Sequence, residues 1–204
     1  MMRDTMTPLG LWDFGVSSHI LWLRFIDDAF VLIVLALLSF VATILIFQIN
    51  QPLSKNIHWF KTKNRIQSVL VGILSSFLIA VPFMIPYIFL PIETRGGLFP
   101  SNLILPLMIF TLFGNLLEEV LFRGFLQNYL TSEVGTKRSI LLSGLLFAVG
   151  HTFLATSVTD LGIWVLIFTL YEGLVCAFLS EKYGLVSATL AHGLAIFFLA
   201  VGHF

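Results

Sequence analysis

Only 11% of the 204 residues are charged and 58% are hydrophobic, whereas soluble domains carry about 25% charged residues. Several apolar runs near 20 residues long predict an integral membrane protein with several spans rather than a soluble globule. The formal net charge is zero, which gives no basis for nucleic-acid binding, and the length suits one domain. Cys176 is the single cysteine. It excludes an intramolecular disulfide and a cysteine metal cluster, and in its apolar run it reads as a small buried hydrophobe. The amino terminus lacks a basic region, short apolar core and cleavage site, so the first span is expected to be retained.

In chain order, residues 11–25 mix Trp12, Phe14, Trp22 and Phe25 with Asp13, His19 and Arg24. This composition predicts an interfacial helix with aromatic anchors. Asp27 and Asp28 precede the first clean apolar run, residues 29–47. Residues 48–65 hold Lys55, His58, Lys61, Lys63 and Arg65 and no acid, and the positive-inside rule places this loop in the cytoplasm. A second run, 66–90, contains Pro82 and Pro86 and predicts a kinked helix whose freed backbone groups find partners on its neighbours. Residues 91–102 form the opposite loop.

The third helix starts near Leu103, with a possible kink at Pro106, and carries Asn115, Glu118, Glu119 and Arg123. Residues 131–138, with Lys137 and Arg138, return to the basic side. A fourth run, 139–156, contains Phe147 and His151, and its Gly144 and Ala148 have the small-xxx-small spacing of close helix packing. A fifth run, 161–179, contains Tyr171 and Glu172. After the turn 180–184, a sixth run from Leu185 to the end contains His192. Six spans put both termini on the non-cytoplasmic face. The fold class is therefore all-α, a polytopic helix bundle of about six spans. Residues 1–102 supply the amino-terminal helix and two spans, residues 103–204 the functional core, and together they make one membrane domain. No inverted repeat pairs the Glu118 helix with another, which weighs against a secondary transporter.

The polar residues within the spans carry the functional signal, because ionisable groups at such depth are costly and mark function. Glu119 and Arg123 are four residues apart and lie on one helix face, where they can pair. Glu118 is rotated about 100° from Glu119 and is the candidate for a free carboxylate. At 1.5 Å per residue, Glu118 and His151 each lie roughly 18 Å from the basic-side end of their helices, with Glu172 about 12 Å and His192 about 10 Å in. The four converge at middle depth, in a cavity expected to open to the cytoplasmic side.

A carboxylate with two histidines and an arginine, without a serine or cysteine beside a base, suits activation of water. A zinc site from His151, His192 and a glutamate is an alternative, although the His-Glu-x-x-His helix of common zinc proteases is absent. A lone histidine in a span also serves as a hydrogen-bonding group between helices. His19, His58 and His203 read as interfacial or solvated.

These residues form a recognisable set. Glu118, Glu119 and Arg123 stand as Glu-Glu-x-x-x-Arg, Phe147 and His151 as Phe-x-x-x-His, and His192 begins a His-x-x-x-Asn motif whose last position is Ile196. From about Leu103 to the end, the chain resembles the CPBP family of intramembrane endopeptidases, which includes CAAX prenyl proteases and bacterial Abi or bacteriocin self-immunity proteins. The resemblance implies Glu118 as general base, His151 as its partner on the water, and Glu119 and Arg123 as the pair that holds them. It implies His192 as part of the oxyanion site and a protease that needs no metal or other cofactor. Isoleucine at 196 has no donor, and loss of one oxyanion donor costs about 3 to 4 kcal/mol in the barrier. Asn115, three residues before Glu118, either substitutes for it or bridges helices. Glu172 matches no family motif and is either a second partner for Arg123 or a cavity-lining acid.

The expected partners are a peptide or membrane-protein substrate and the lipid bilayer, with the oligomeric state left open. The competing class is a catalytically weak or inactive scaffold or immunity protein, with an ion or proton transporter a third. A compact, loop-poor chain suits a multi-pass protein of a prokaryotic cell membrane.

Overall fold

The computed structural model describes residues 12–17, 20–95, 97–158 and 162–202. His19, His203 and Gly96 therefore lie outside the described residues.

The run after Asp28 starts a helix because that aspartate caps it. Its side chain accepts from the Val31 amide at 3.0 Å, an interaction typically worth about 1 kcal/mol. The helix α1 spans Ala29–Ile49, and the short α2, Gln51–Ser54, follows. α1 turns Leu37, Leu38, Phe40, Val41, Ile44 and Leu45 outward. An apolar exterior of this kind suits lipid, where each backbone polar group must be satisfied within the helix.

Asn64 caps α3, Arg65–Met84. Pro82 lies inside α3 and cannot donate to the Leu78 carbonyl one turn back. The Tyr171 hydroxyl takes that carbonyl instead, at 2.8 Å, so the freed group is satisfied from a neighbouring helix as expected. Beyond it the chain tightens into a 3-10 turn, Ile85–Phe89, which holds Pro86.

α4, Ile104–Glu119, follows a 3-10 turn at Ser101–Leu103. Pro106 falls in its first turn, where backbone N–H groups have no intrahelical partner, so the kink considered there is not needed. α4 continues through a π-helical segment, Val120–Leu126, into α5, Gln127–Val134. Then come α6 Thr136–Gly150, α7 Ile163–Tyr183 and α8 Leu185–Val201.

Five stretches among the described residues are long and apolar enough to cross a membrane, and α8 is a shorter apolar helix of the same kind. The protein is thus an all-α polytopic bundle. α4 packs between α1 and α8, α3 lies against α8, and α6 lies against α7, which also touches α8. Gly144 lets α6 approach α7: a Cβ there would stand 3.0 Å from the Leu174 backbone nitrogen. Cys176 is fully buried and unpaired by disulfide.

One expectation is corrected. Residues 12–25 form an antiparallel β-hairpin, β1 Trp12–Ser17 and β2 Ile20–Phe25, with Trp12 opposite Phe25 and Ser17 opposite Ile20. The interfacial helix predicted for 11–25 does not form there; Leu11 itself lies outside the described residues. Alternation of apolar residues at Trp12, Phe14 and Val16 fits the period of a strand, which an aromatic-anchor reading overlooks. Arg24 fastens the hairpin to the bundle. It donates to the carbonyls of Ala200, at 3.1 Å, and Gly97, and lies over the Phe99 ring.

The basic loop packs at the opposite end. The amides of Leu185 and Val186 donate to the carbonyls of His58 and Trp59, and Lys61 pairs with Glu181 at 2.9 Å. Asn128, in the first turn of α5, donates to the Asn56 carbonyl at 3.2 Å. The loops around 48–65, 135 and 184 therefore share one end of the bundle.

Candidate active site

Two carboxylates leave α4 in different directions. Glu119 points inward and is fully buried, with one oxygen 3.0 Å from Arg123 Nη1. This contact is an ion pair without hydrogen-bond alignment, since Nη1 has no hydrogen bond of its own among the described residues. Arg123 instead donates through Nη2 to the Gly173 carbonyl at 3.0 Å, and one turn on Gln127 donates to the Ala177 carbonyl at 2.9 Å. The two bonds form a ladder that seats the π-helical segment on α7. Single widened turns of this kind are frequent at functional sites.

Glu119 also reaches α8. Its Oε1 lies 2.9 Å from His192 Nδ1. A carboxylate only accepts, so that ring nitrogen donates. The other nitrogen, Nε2, stands 3.5 Å from Glu172 Oε2 on α7. The imidazole expected to serve as an oxyanion donor is thus flanked by two buried acids.

Glu118 takes the other direction, as its rotation on the helix predicts. Its side chain is 39% exposed, and Oε2 lies 3.8 Å from His151 Nε2. His151 sits at the end of α6, where Nδ1 meets the Phe147 carbonyl at 2.8 Å. That carbonyl can only accept, so Nδ1 carries the hydrogen, and in the neutral ring Nε2 is an acceptor. At 3.8 Å the two groups are too far apart for a direct hydrogen bond. A water about 2.8 Å from each would bridge them.

Phe147 explains how these pieces hold together. Its ring is fully buried, with the Arg123 guanidinium 4.3 Å from its centroid, His151 at 4.5 Å, His192 edge-on at 5.6 Å and Phe122 at 5.0 Å. Gly173 makes room for it: a Cβ there would stand 3.0 Å from Phe147 Cδ1 and 3.1 Å from the Gly144 carbonyl oxygen.

A cavity of about 330 Å³ joins the cluster, lined by Asn115, Glu118, His151, Glu172, His192 and Ile196. The structure therefore brings together on one cavity all the polar residues singled out in the sequence except Glu119 and Arg123, which brace it from behind. Asn115 donates to the Thr111 carbonyl of its own helix at 2.7 Å, a bond that bridges no helices. Glu172 makes no ion pair with Arg123 among the described residues and is a cavity-lining acid. Ile196 faces the cavity as its spacing from His192 predicts.

Sequence reasoning missed Thr111 and Thr169, and with them the wall formed by Trp22, Leu23 and Phe25 of the hairpin, Phe83 and Tyr87. Nothing in a local motif marks these, because long-range packing brings them in. Most lining residues beyond the polar cluster come from the half of the bundle that carries the hairpin, with Ser39 and Leu117 near the middle of their helices.

Among the described residues, no group of three or more His, Cys, Asp and Glu side chains is arranged to hold a metal ion. The zinc set fits poorly, since His192 directs both nitrogens at Glu119 and Glu172.

Apolar helices that bury an acid and base cluster at mid-depth define a multi-pass membrane protein with a polar intramembrane site. Residues 100–198 match the family model described as type II CAAX prenyl endopeptidase, Rce1-like. The match supports the CPBP resemblance drawn from the motifs. The matched segment contains every motif residue and Ile196, and leaves out the hairpin, α1 and α3. Neither a curated protein nor a solved structure matches the chain.

Proposed function

We propose that the protein is an intramembrane endopeptidase that hydrolyses a peptide bond with water activated by Glu118. The observation that carries this reading is the Glu118–His151 pair on the cavity, 3.8 Å apart. In this scheme the water sits between the carboxylate and the bare Nε2 of His151, and Glu118 takes its proton as the oxygen attacks the peptide carbonyl. Glu118 then passes that proton to the leaving amine. Glu119 and Arg123 position the site: the first holds His192, the second grips α7 and the face of Phe147. His192, 2% exposed and flanked by acids, supplies positive electrostatic potential near the developing oxyanion. No metal ion takes part.

Seven lysines and arginines, Lys55, Lys61, Lys63, Arg65, Lys137, Arg138 and Lys182, cluster at the end away from the hairpin. Under the positive-inside rule that end faces the cytoplasm, and the cavity then lies in the non-cytoplasmic half of the membrane. A peptide or a segment of a membrane protein enters there, along a mostly apolar wall.

The test is hydrolysis of a peptide library by purified protein in detergent, compared with Glu118→Gln and His151→Ala. Activity in the parent that falls at least 100-fold in both variants, with chelator having no effect, supports the scheme. A parent whose cleavage survives Glu118→Gln would sink it. A second reading, a non-catalytic scaffold that binds a membrane partner, is favoured by Ile196 on the cavity wall, and a folded but inert parent would support it.

A further inference from the structure

Glu172 has no task in this hydrolytic scheme, and its surroundings are unusual for an acid. It is 1% exposed, lines the same cavity as Glu118, His151 and Ile196, and pairs with no lysine or arginine among the described residues. Arg123 pairs with Glu119, and Glu172 has only the His192 ring beside it, with Nε2 3.5 Å from Oε2. Its second oxygen, Oε1, has no hydrogen-bond partner among the described residues. A lone buried carboxylate in that position is costly. As a carboxylic acid the same group is uncharged and carries an O–H donor.

Ile196 lies one turn beyond His192 and presents only alkyl carbon to the cavity. An oxyanion there needs a donor, and Asn115 has one of its two amide hydrogens tied to the Thr111 carbonyl of its own helix.

We propose that Glu172, as the carboxylic acid, is a further catalytic residue, which donates to the carbonyl oxygen of the scissile bond in place of the donor absent at Ile196. This assignment rests on the endopeptidase reading above. As the water oxygen bonds to the carbonyl carbon, its proton goes to Glu118 and the carbonyl π pair moves onto oxygen. Glu172 donates a hydrogen bond to the resulting oxyanion and keeps its proton. On collapse that pair re-forms the carbonyl, and the C–N bond breaks with its pair on nitrogen. The nitrogen takes the proton held by Glu118. Both glutamates end as they began, and one water has been consumed. Two acids with opposite protonation then share one site, an arrangement that lets a single cavity run acid and base chemistry together.

The experiment compares kcat and KM for one cleaved peptide in the parent, Glu172→Met, Glu172→Gln, and Glu172→Met combined with Ile196→Asn. Methionine fills the volume without a donor and replaces a buried acid by an apolar group, so the fold is expected to persist; thermal unfolding in detergent checks this, with Glu172→Leu as the substitute. Removal of the donor is expected to lower kcat about 100- to 1,000-fold with KM little changed. Glutamine keeps an N–H donor and is expected to stay within about tenfold of the parent. Asparagine at 196 is expected to recover at least about tenfold in the methionine background, which a merely structural role for Glu172 would not produce.

A Glu172→Met protein as fast as the parent would overturn the assignment, as would glutamine as slow as methionine or an absence of rescue by Ile196→Asn. In each of these cases an active parent leaves the endopeptidase reading standing. An inert parent overturns that reading and this assignment with it.

Discussion

Glu119 joins α4 to α8 through His192, with 2.9 Å between Oε1 and Nδ1 across 73 positions of sequence. The same oxygen lies 3.0 Å from the Arg123 guanidinium, so one buried acid answers two cationic or donor groups. Its second oxygen has no hydrogen bond among the described residues, which leaves Arg123 as the main compensation for its charge. Removing one partner of a buried ion pair typically costs about 3 to 5 kcal/mol, because the other charge is left uncompensated. Arg123→Ala is expected to lose stability on that scale, whereas Glu118→Gln, on the cavity side with a 39% exposed side chain, is expected to fold as the parent does. Thermal unfolding in detergent compares them. If Glu118→Gln were the less stable of the two, the division into bracing and reacting carboxylates would be reversed.

Close helix approach behind the site gives a second expectation. At Gly173 a Cβ would meet the Phe147 ring at 3.0 Å and the Gly144 backbone at 3.1 Å. Gly173→Ala must push apart α6 and α7 or displace Phe147, at a cost of about 1 to 3 kcal/mol. Because Phe147 backs both His151 and His192, hydrolysis is expected to fall more than stability does. Gly114→Ala provides the control for folding, since its Cβ would make only an ordinary contact, 3.7 Å from the Phe110 ring. Equal unfolding temperatures for Gly173→Ala and the parent would contradict the packing described here.

Much of this site was legible because helical spacing is local. The four-residue step from Glu119 to Arg123 and the rotation that turns Glu118 away follow from α-helical geometry alone, and the pairing survives the π-helical segment that begins at Val120. The spans were legible for the same reason: long apolar runs have few alternatives in a membrane. The partners of His192 were not legible, because they come from helices far apart in sequence and depend on which faces the bundle turns inward. Distances measured along single helices place residues at a depth but do not say which half of the bundle is hollow. At the hairpin, a composition rich in tryptophan and phenylalanine suits an interfacial helix and a strand equally. The alternation of apolar residues was the signal that separates them.

The disposition of the loops yields a test in membranes. Hydrogen bonds from Asn128 to Asn56 and from Leu185 to His58 tie three connections to one end. Single cysteines at Lys63, Lys137 and Lys182, in a Cys176→Ala background, are expected to share one labelling pattern in intact cells, shielded from an impermeant maleimide until the membrane is opened. A cysteine at Glu93, near the hairpin end, is expected to label without permeabilisation. Labelling of Lys63 and Lys137 from opposite sides would break the bundle described here. Labelling of all three basic-end positions from outside would keep the bundle but invert it, and would turn the cavity toward the cytoplasm.

The hairpin offers the last test, because it forms part of the cavity wall without belonging to the matched segment. Trp22 and Leu23 are buried against the bundle, and Arg24 between them and Phe25 is the residue that pins the strand, through the Ala200 and Gly97 carbonyls and the Phe99 ring. Two strands alone are marginally stable in water, so the hairpin depends on this attachment for its order. Arg24→Ala removes the bonds donated to the Ala200 and Gly97 carbonyls and the cationic contact with Phe99, and leaves those carbonyls to find other partners. The helices beneath do not depend on these bonds for their own ladders, so the bundle is expected to persist while the hairpin loosens. Reactivity at a cysteine placed at Ile196, again without Cys176, reports on entry to the cavity. Arg24→Ala is expected to speed its modification by a small maleimide in detergent, with little change in the unfolding temperature. Unchanged reactivity in a protein whose hairpin has become sensitive to protease would mean that the cavity opens elsewhere, between helices rather than beneath the strands.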